Sequence, residues 1–182
     1  HIGQMGIGAF IYQQQLHRLY ASGLLQNADY TYFSVNGSQE LFNVPDKVIV
    51  KYNKEEDWGT EKTTLLALND FCKNNPDYKV LYFHTKGATK NELSVQSWRL
   101  MMEYFLIDKW MDCYILLDKY DCVGVNLTTV GPTLYSNGEF QQPSHEGLYN
   151  FPGNFWWATS NHIRSLNHSY LTSDYRLDRE LW

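Results

Sequence analysis

The chain has 182 residues, 43% hydrophobic and 19% charged, which suits one globular domain with a buried core. A formal net charge of −5 argues against a nucleic-acid groove, which wants a basic stripe, and no apolar run approaches the length of a membrane span. Aromatic residues reach 16%, enough to fill a core and also to line a site for sugars or bases.

His1-Ile2-Gly3 reads as the end of a first strand, and Gln4-Met5-Gly6-Ile7-Gly8 as a glycine-rich turn. A helix is expected from Ala9 to about Leu25, with Phe10, Leu16, Leu19 and Tyr20 among its apolar positions and Gly23 near its end. Tyr30 to Val35 reads as a strand closed by the Asn36-Gly37 turn, and Lys47 to Tyr52 as another. Thr60 to Cys72 is expected to be a helix capped by Thr60, with Leu65, Leu66, Leu68 and Phe71 inside. Lys79 to Phe83 is a short continuous apolar run after Asn-Asn-Pro-Asp, the pattern of a strand buried on both faces. Ser94 to about Lys119 is read as helical, in one piece or two, its inner surface supplied by Trp98, Met101, Met102, Phe105, Trp110 and Tyr114.

Asp121 to Asn126 reads as the next strand, and Thr128 to Asn150 as a long polar loop of the kind that is usually functional or mobile. Phe155 to Ala158 is a short strand, and Asn161 to Leu166 and Ser173 to Trp182 are short helices. The order β-α-β-β-α-β-α-β followed by a mixed tail predicts an α/β protein of one domain, residues 1–182. Its three cysteines, Cys72, Cys113 and Cys122, lack regular spacing and suggest reduced thiols and a cytoplasmic setting. Sequons at Asn36, Asn126 and Asn167 are read as chance matches. The first residue is His rather than Met, which leaves room for a segment upstream.

The carboxyl end of the Lys79–Phe83 strand carries most of the chemistry. It runs into His84-Thr85-Lys86-Gly87, an imidazole, a hydroxyl and an ammonium followed by a glycine. Open α/β sheets bind ligands at such strand ends, and these groups suit a diphosphate. The alternative is a strand-to-helix turn with a solvated lysine. Arg99, one helical stretch later, could reach the same anion with its forked guanidinium. The turn containing Gly3, Gln4 and Gly6 lacks the dinucleotide glycine spacing, but a base or ribose could rest on it. Glu61 either stabilises a helix amino end or grips a sugar hydroxyl. Trp156 and Trp157 should point to opposite faces of their strand, one into the core and one into a cleft, beside Asn154, whose amide suits a sugar hydroxyl. Asp178 and Glu180 could supply a general base. His145 and Glu146 lie in the long loop as ligands or as plain loop residues. No Asp-x-Asp pair follows a strand, so an oxygen-rich metal site is not visible.

Taken together, Tyr82 to Gly87, Trp98-Arg99 with Met102 to Phe105, Val123 to Asn126, Gly153 to Ala158, and Arg176, Glu180 and Trp182 resemble one family. The pattern is similar to small glycosyltransferases of the GT-A fold from large algal viruses and bacteria, and also to rhamnan-synthesis F-type proteins. The resemblance covers almost the whole chain. It implies a GT-A-like, Rossmann-like mixed sheet flanked by helices, with a donor-binding half at about 1–127 and an acceptor half at about 128–182. It implies a hexose or deoxyhexose moved from a nucleoside-diphosphate sugar to a glycan acceptor in polysaccharide biosynthesis, with Glu180 or Asp178 as the base of an inverting enzyme. The chain departs from the family where His84-Thr85-Lys86 replaces the acidic metal motif, which leaves dependence on Mn2+ or Mg2+ open. It could be one domain of a longer transferase. A catalytically silent sugar-nucleotide or carbohydrate-binding module of the same fold is the alternative.

Overall fold

The computed structural model describes residues 1–55, 61–90, 92–129, 134–136, 139–141 and 149–166. In chain order these form β1 (Ile2–Gly3), α1 (Gly8–Ala21), α2 (Leu24–Asn27), β2 (Thr31–Asn36), β3 (Val48–Tyr52), α3 (Lys62–Asn74) and β4 (Lys79–Tyr82). Then come α4 (Leu93–Glu103), a π-helical turn (Tyr104–Asp108), α5 (Trp110–Leu116), β5 (Cys122–Gly124) and β6 (Thr128–Thr129). Short strands β7 (Leu134–Ser136), β8 (Glu139–Gln141) and β9 (Tyr149–Asn150) precede β10 (Trp156–Thr159) and α6 (Ser160–Ser165). The helix expected at Ser173 to Trp182 lies outside the described residues.

β1, β2 and β3 form a parallel sheet in that order, with Ile2 beside Val35 and Thr31 beside Val48. β10 runs antiparallel between β4 and β5, with Trp156 opposite Tyr82 and Gly124. Two backbone bonds connect the groups: the His1 nitrogen donates to Phe83 O (2.9 Å), and Thr85 N–H donates to His1 O (3.1 Å). The chain therefore steps from β1 out to β3 and returns to β4 on the other side of β1. That reversal is a topological switch point.

The sheet is covered on both faces. Strand residues alternate between two cores, as period-two geometry requires. Trp157 joins Leu16, Leu19, Met102 and Leu106 on one face, while Trp156, Ala158 and Tyr82 join Leu65, Cys72 and Ile163 on the other. The first helix ends earlier than expected. Gly23 adopts φ +75°, and its N–H donates to Tyr20 O, so α2 is a separate turn. The inner face expected of the third helix also changes. Phe105 and Tyr114 are about half exposed, and Leu106 and Ile107 are buried instead. The π-helical turn is the reason, since its wider coil shifts every later side chain around the axis.

Candidate functional site

The carboxyl ends of the parallel strands form a polar rim. β2 ends in Asn36, and Asn53 follows β3; the Asn53 amide donates to Asn36 Oδ1 (2.8 Å) and Ser34 Oγ (2.9 Å). Thr64 of α3 donates to Ser34 Oγ (2.7 Å), and its own hydroxyl lies 2.9 Å from His1 Nδ1. Sequence reasoning passed over Ser34, Asn53 and Thr64. The signal was there for two of them, because Asn53 directly follows a strand and Thr64 lies on the first turn of the next helix.

Glu61 is the centre of the site. It immediately precedes α3 and points across the end of β4 with a side chain only 20% exposed. Tyr82 Oη donates to Glu61 Oε2 (2.9 Å), and the Asn154 amide donates to the same oxygen. Asn154 Oδ1 in turn accepts from Trp156 Nε1 (2.8 Å). Glu61 Oε1 lies 3.4 Å from His84 Nδ1, and the opposite ring nitrogen, Nε2, meets Gly153 O at 3.0 Å. Three segments that are distant in sequence, residue 61, residues 82–84 and residues 153–156, therefore converge on one carboxylate.

The electrostatics follow from those contacts. Burial alone would raise the Glu61 carboxyl; His84, Tyr82 and Asn154 outweigh it and hold the group below its ordinary range. Burial lowers the His84 imidazole, against the pull of the Glu61 carboxylate and the Gly153 carbonyl. Tyr82 and Asn154 both donate to the carboxylate, which favours its ionised form. Burial, and then Glu61, push the Tyr82 phenol well above its usual value, so it stays a donor. Facing a carbonyl, Nε2 carries the ring proton. A proton that arrives at Nδ1 lands beside Glu61 Oε1 and turns the contact into an ion pair. The arrangement can thus take up one proton.

The other expected donor-site residues are placed as follows. Thr85 is buried, and its hydroxyl accepts from Gly3 N–H (2.8 Å) and faces Gly3 O (3.3 Å), so it pins β4 to β1. Gly6, at φ +56°, lies so close to Ala88 O that an added Cβ would sit 2.2 Å from it, and Ile7 N–H donates to the same oxygen. The glycine turn therefore packs on the His84–Lys90 turn. The Gln4 amide bonds the backbone of Gln39 at both ends. Lys86 sits over the Trp98 ring, 4.2 Å from its centroid, and Gly87 turns the chain at φ +86°.

Residues 11–171 match the family described as a domain of unknown function, DUF8361. The chain belongs to the DUF8361 family. No curated protein and no solved structure matches it.

Two features of this DUF8361 chain correct the sequence reading. Arg99 does not reach the His84–Gly87 turn. It is buried along α4, bonded to Glu103 Oε1 (2.8 Å) and Gln14 Oε1 (2.9 Å), because Gln15 stands between it and the turn and donates to both His84 O and Glu103. Trp156 and Trp157 do point to opposite faces, but both are buried, since helices cover both faces of β10. Trp156 stacks on Tyr82 with centroids 5.2 Å apart, and Trp157 Nε1 donates to Leu106 O (2.8 Å). Neither ring is open for sugar stacking. Asp178, Glu180, His145 and Glu146 lie outside the described residues. Among the described residues no group of three metal-ligating side chains occurs, and no helix is long and apolar enough to cross a membrane.

Proposed function

We propose that this chain is a glycosyltransferase of GT-A-like fold that moves a hexose or deoxyhexose from a nucleoside-diphosphate sugar to a glycan acceptor. The observation that carries the reading is the convergence of Glu61, Tyr82, His84 and Asn154 at the carboxyl rim beside the switch point, where open α/β sheets bind ligands. Lys86, held over Trp98 on the adjoining turn, is the cation assigned to the leaving diphosphate, whose charge grows in the transition state. Glu61 or the neutral His84 contacts a donor hydroxyl. Glu180, or Asp178, keeps the role of base toward the acceptor. Among the described residues, Glu61 is the carboxylate at this rim, and Tyr82 and Asn154 already occupy one of its oxygens. A divalent ion would therefore need further ligands from residues that are not described. Mn2+ or Mg2+ enters the reading as a condition to test.

A silent binding module of the same fold is the second reading. It is favoured by how many expected ligands are bonded internally, among them Thr85, Gln4 and Arg99. Thermal shift with a panel of nucleoside-diphosphate sugars, with and without manganese, followed by donor hydrolysis, separates the two. A transferase is stabilised by its donor and turns it over, and Lys86→Ala and Glu180→Gln each lower that turnover at least tenfold. A donor bound without turnover supports the silent module, and no donor bound at all sinks both.

A further inference from the structure

β1 is short where its neighbours are long. It pairs with β2 only at Ile2–Val35 and Gly3–Asn36, while β2 continues back to Thr31. On its other side it meets β4 through His1, bonded to Phe83 O and Thr85 N, while β4 continues back to Lys79. Between the two strands runs a cleft of about 520 Å³. Leu16, Leu19 and Leu24 line it from one face of the sheet, and Ala67, Leu68 and Phe71 from the other. Among the described residues no strand pairs with the facing edges of Thr31–Phe33 and Lys79–Leu81.

We propose that this cleft is a strand slot, filled by extended apolar residues that continue β1 upstream of His1. The existing pairs set the register. Ile2 lies beside Val35, and His1 lies beside His84. The residue before His1 therefore falls between Phe33 and Phe83, the next between Tyr32 and Tyr82, and the next between Thr31 and Leu81. Both walls present backbone N–H and C=O groups that need ladder partners. Both faces are apolar, so the occupant is apolar at successive positions, as in any strand buried on two sides.

The state of β4 agrees. Its sequence is that of a strand buried on both faces, yet Lys79, Val80 and Leu81 are only half-buried, with the open cleft beside them. Across the far end Tyr30 and Tyr78 lean together, ring centroids 5.7 Å apart, where a strand between β2 and β4 would hold them further apart. The proposal does not depend on the assignment of activity.

The test compares the 182-residue chain with two chains extended before His1, one by five alternating Val and Ile residues and one by five Gly and Ser residues. The apolar extension should raise Tm by about 5 °C or more over the Gly/Ser one. It should also slow amide exchange at Thr31–Phe33 and Lys79–Leu81 by at least tenfold. Equal Tm and equal exchange in the two extended chains overturn the proposal. Should the apolar chain precipitate, the same Val/Ile sequence added as a free peptide gives a second measurement. Slowed exchange at those amides only at millimolar peptide supports a tethered occupant, whose effective concentration lies in that range. Micromolar binding points to a separate partner and overturns the proposal, as does no slowing at any concentration.

Discussion

Replacing Glu61 separates the charge of the site from its hydrogen bonds. Glu61→Ala removes the acceptor for both Tyr82 Oη and the Asn154 amide, and Tyr82 is buried to 4% and Asn154 to 7% exposure. Each orphaned donor costs about 1–3 kcal/mol, so the pair costs roughly 2–6 kcal/mol. That is a large share of the roughly 5–15 kcal/mol that holds a domain folded. At about 2–4 °C per kcal/mol for a chain of this size, Tm should fall by about 10 °C.

Glu61→Gln behaves differently. Its amide oxygen still accepts from Tyr82 and Asn154, with charge-assisted bonds becoming neutral ones, a loss of about 1 kcal/mol each. Its amide nitrogen can donate to His84 Nδ1 while Nε2–H keeps Gly153 O. The carboxylate that pulls the imidazole pKa upward is gone, so His84 should titrate lower still than in the parent. Urea unfolding gives the stabilities, and NMR of the His84 ring gives the titration. Equal losses in the Gln and Ala variants, or an unmoved His84 titration in the Gln variant, would refute the view that Glu61 is an ionised hub.

Stability should fall on acidification in two steps of the same sign. His84 is depressed in the fold, so its contribution is lost as pH drops below the ordinary value of 6.5; Glu61 is also depressed, and its share goes as pH drops below 4.5. His84→Asn should remove the upper step and also shrink the lower one, because the His84 charge is the largest of the effects that lower Glu61, in urea midpoints measured from pH 8 to pH 4. Gly153→Ala should destabilise by about 2 kcal/mol or more, since φ is +97° and the new Cβ would meet Met102 Sδ at 2.8 Å. Urea titration reads that loss, and an unchanged midpoint would show that the loop relaxes freely. Native Cys113 and Cys122, raised by burial to about 11 and about 12, should react slowly with a thiol reagent at pH 8 and quickly after unfolding, followed by absorbance.

Much of the fold was legible in the sequence. The run Val80–Phe83 with Asn-Asn-Pro-Asp before it, and the alternation through Val48–Tyr52, are local patterns set by which faces are buried. The reading failed where the deciding contact is distant. Nothing near Phe105 announces the π-helical turn that exposes it, and nothing near Trp156 reveals that α3 and α6 cover its face of β10. In the site, the sequence marks His84 and Glu61 only singly. Their meeting depends on the antiparallel entry of β10, which brings Gly153 and Asn154 under β4. Tyr82 belongs to a run that reads as buried strand, and it is buried, but its hydroxyl reaches past the core to Glu61.

The distribution of internal bonds along the rim narrows where a ligand can act. Toward the switch point Thr85, Gly6 and Gln4 hold one loop against another, and a ligand there would have to break backbone contacts such as Ile7 N–H to Ala88 O. Behind the turn, Arg99 and Glu103 form a buried ion pair, which is costly to open because either partner would be left charged in the interior. Lys86 lies between these closed regions. It rests on the Trp98 indole, and that indole abuts Gly153, whose carbonyl meets His84. An anion drawn to Lys86 at this rim would lie next to an imidazole and carboxylate that can take up a proton. Binding and proton uptake then share one short path, Lys86–Trp98–Gly153–His84–Glu61, and a ligand that moves Lys86 should also shift the titration of His84.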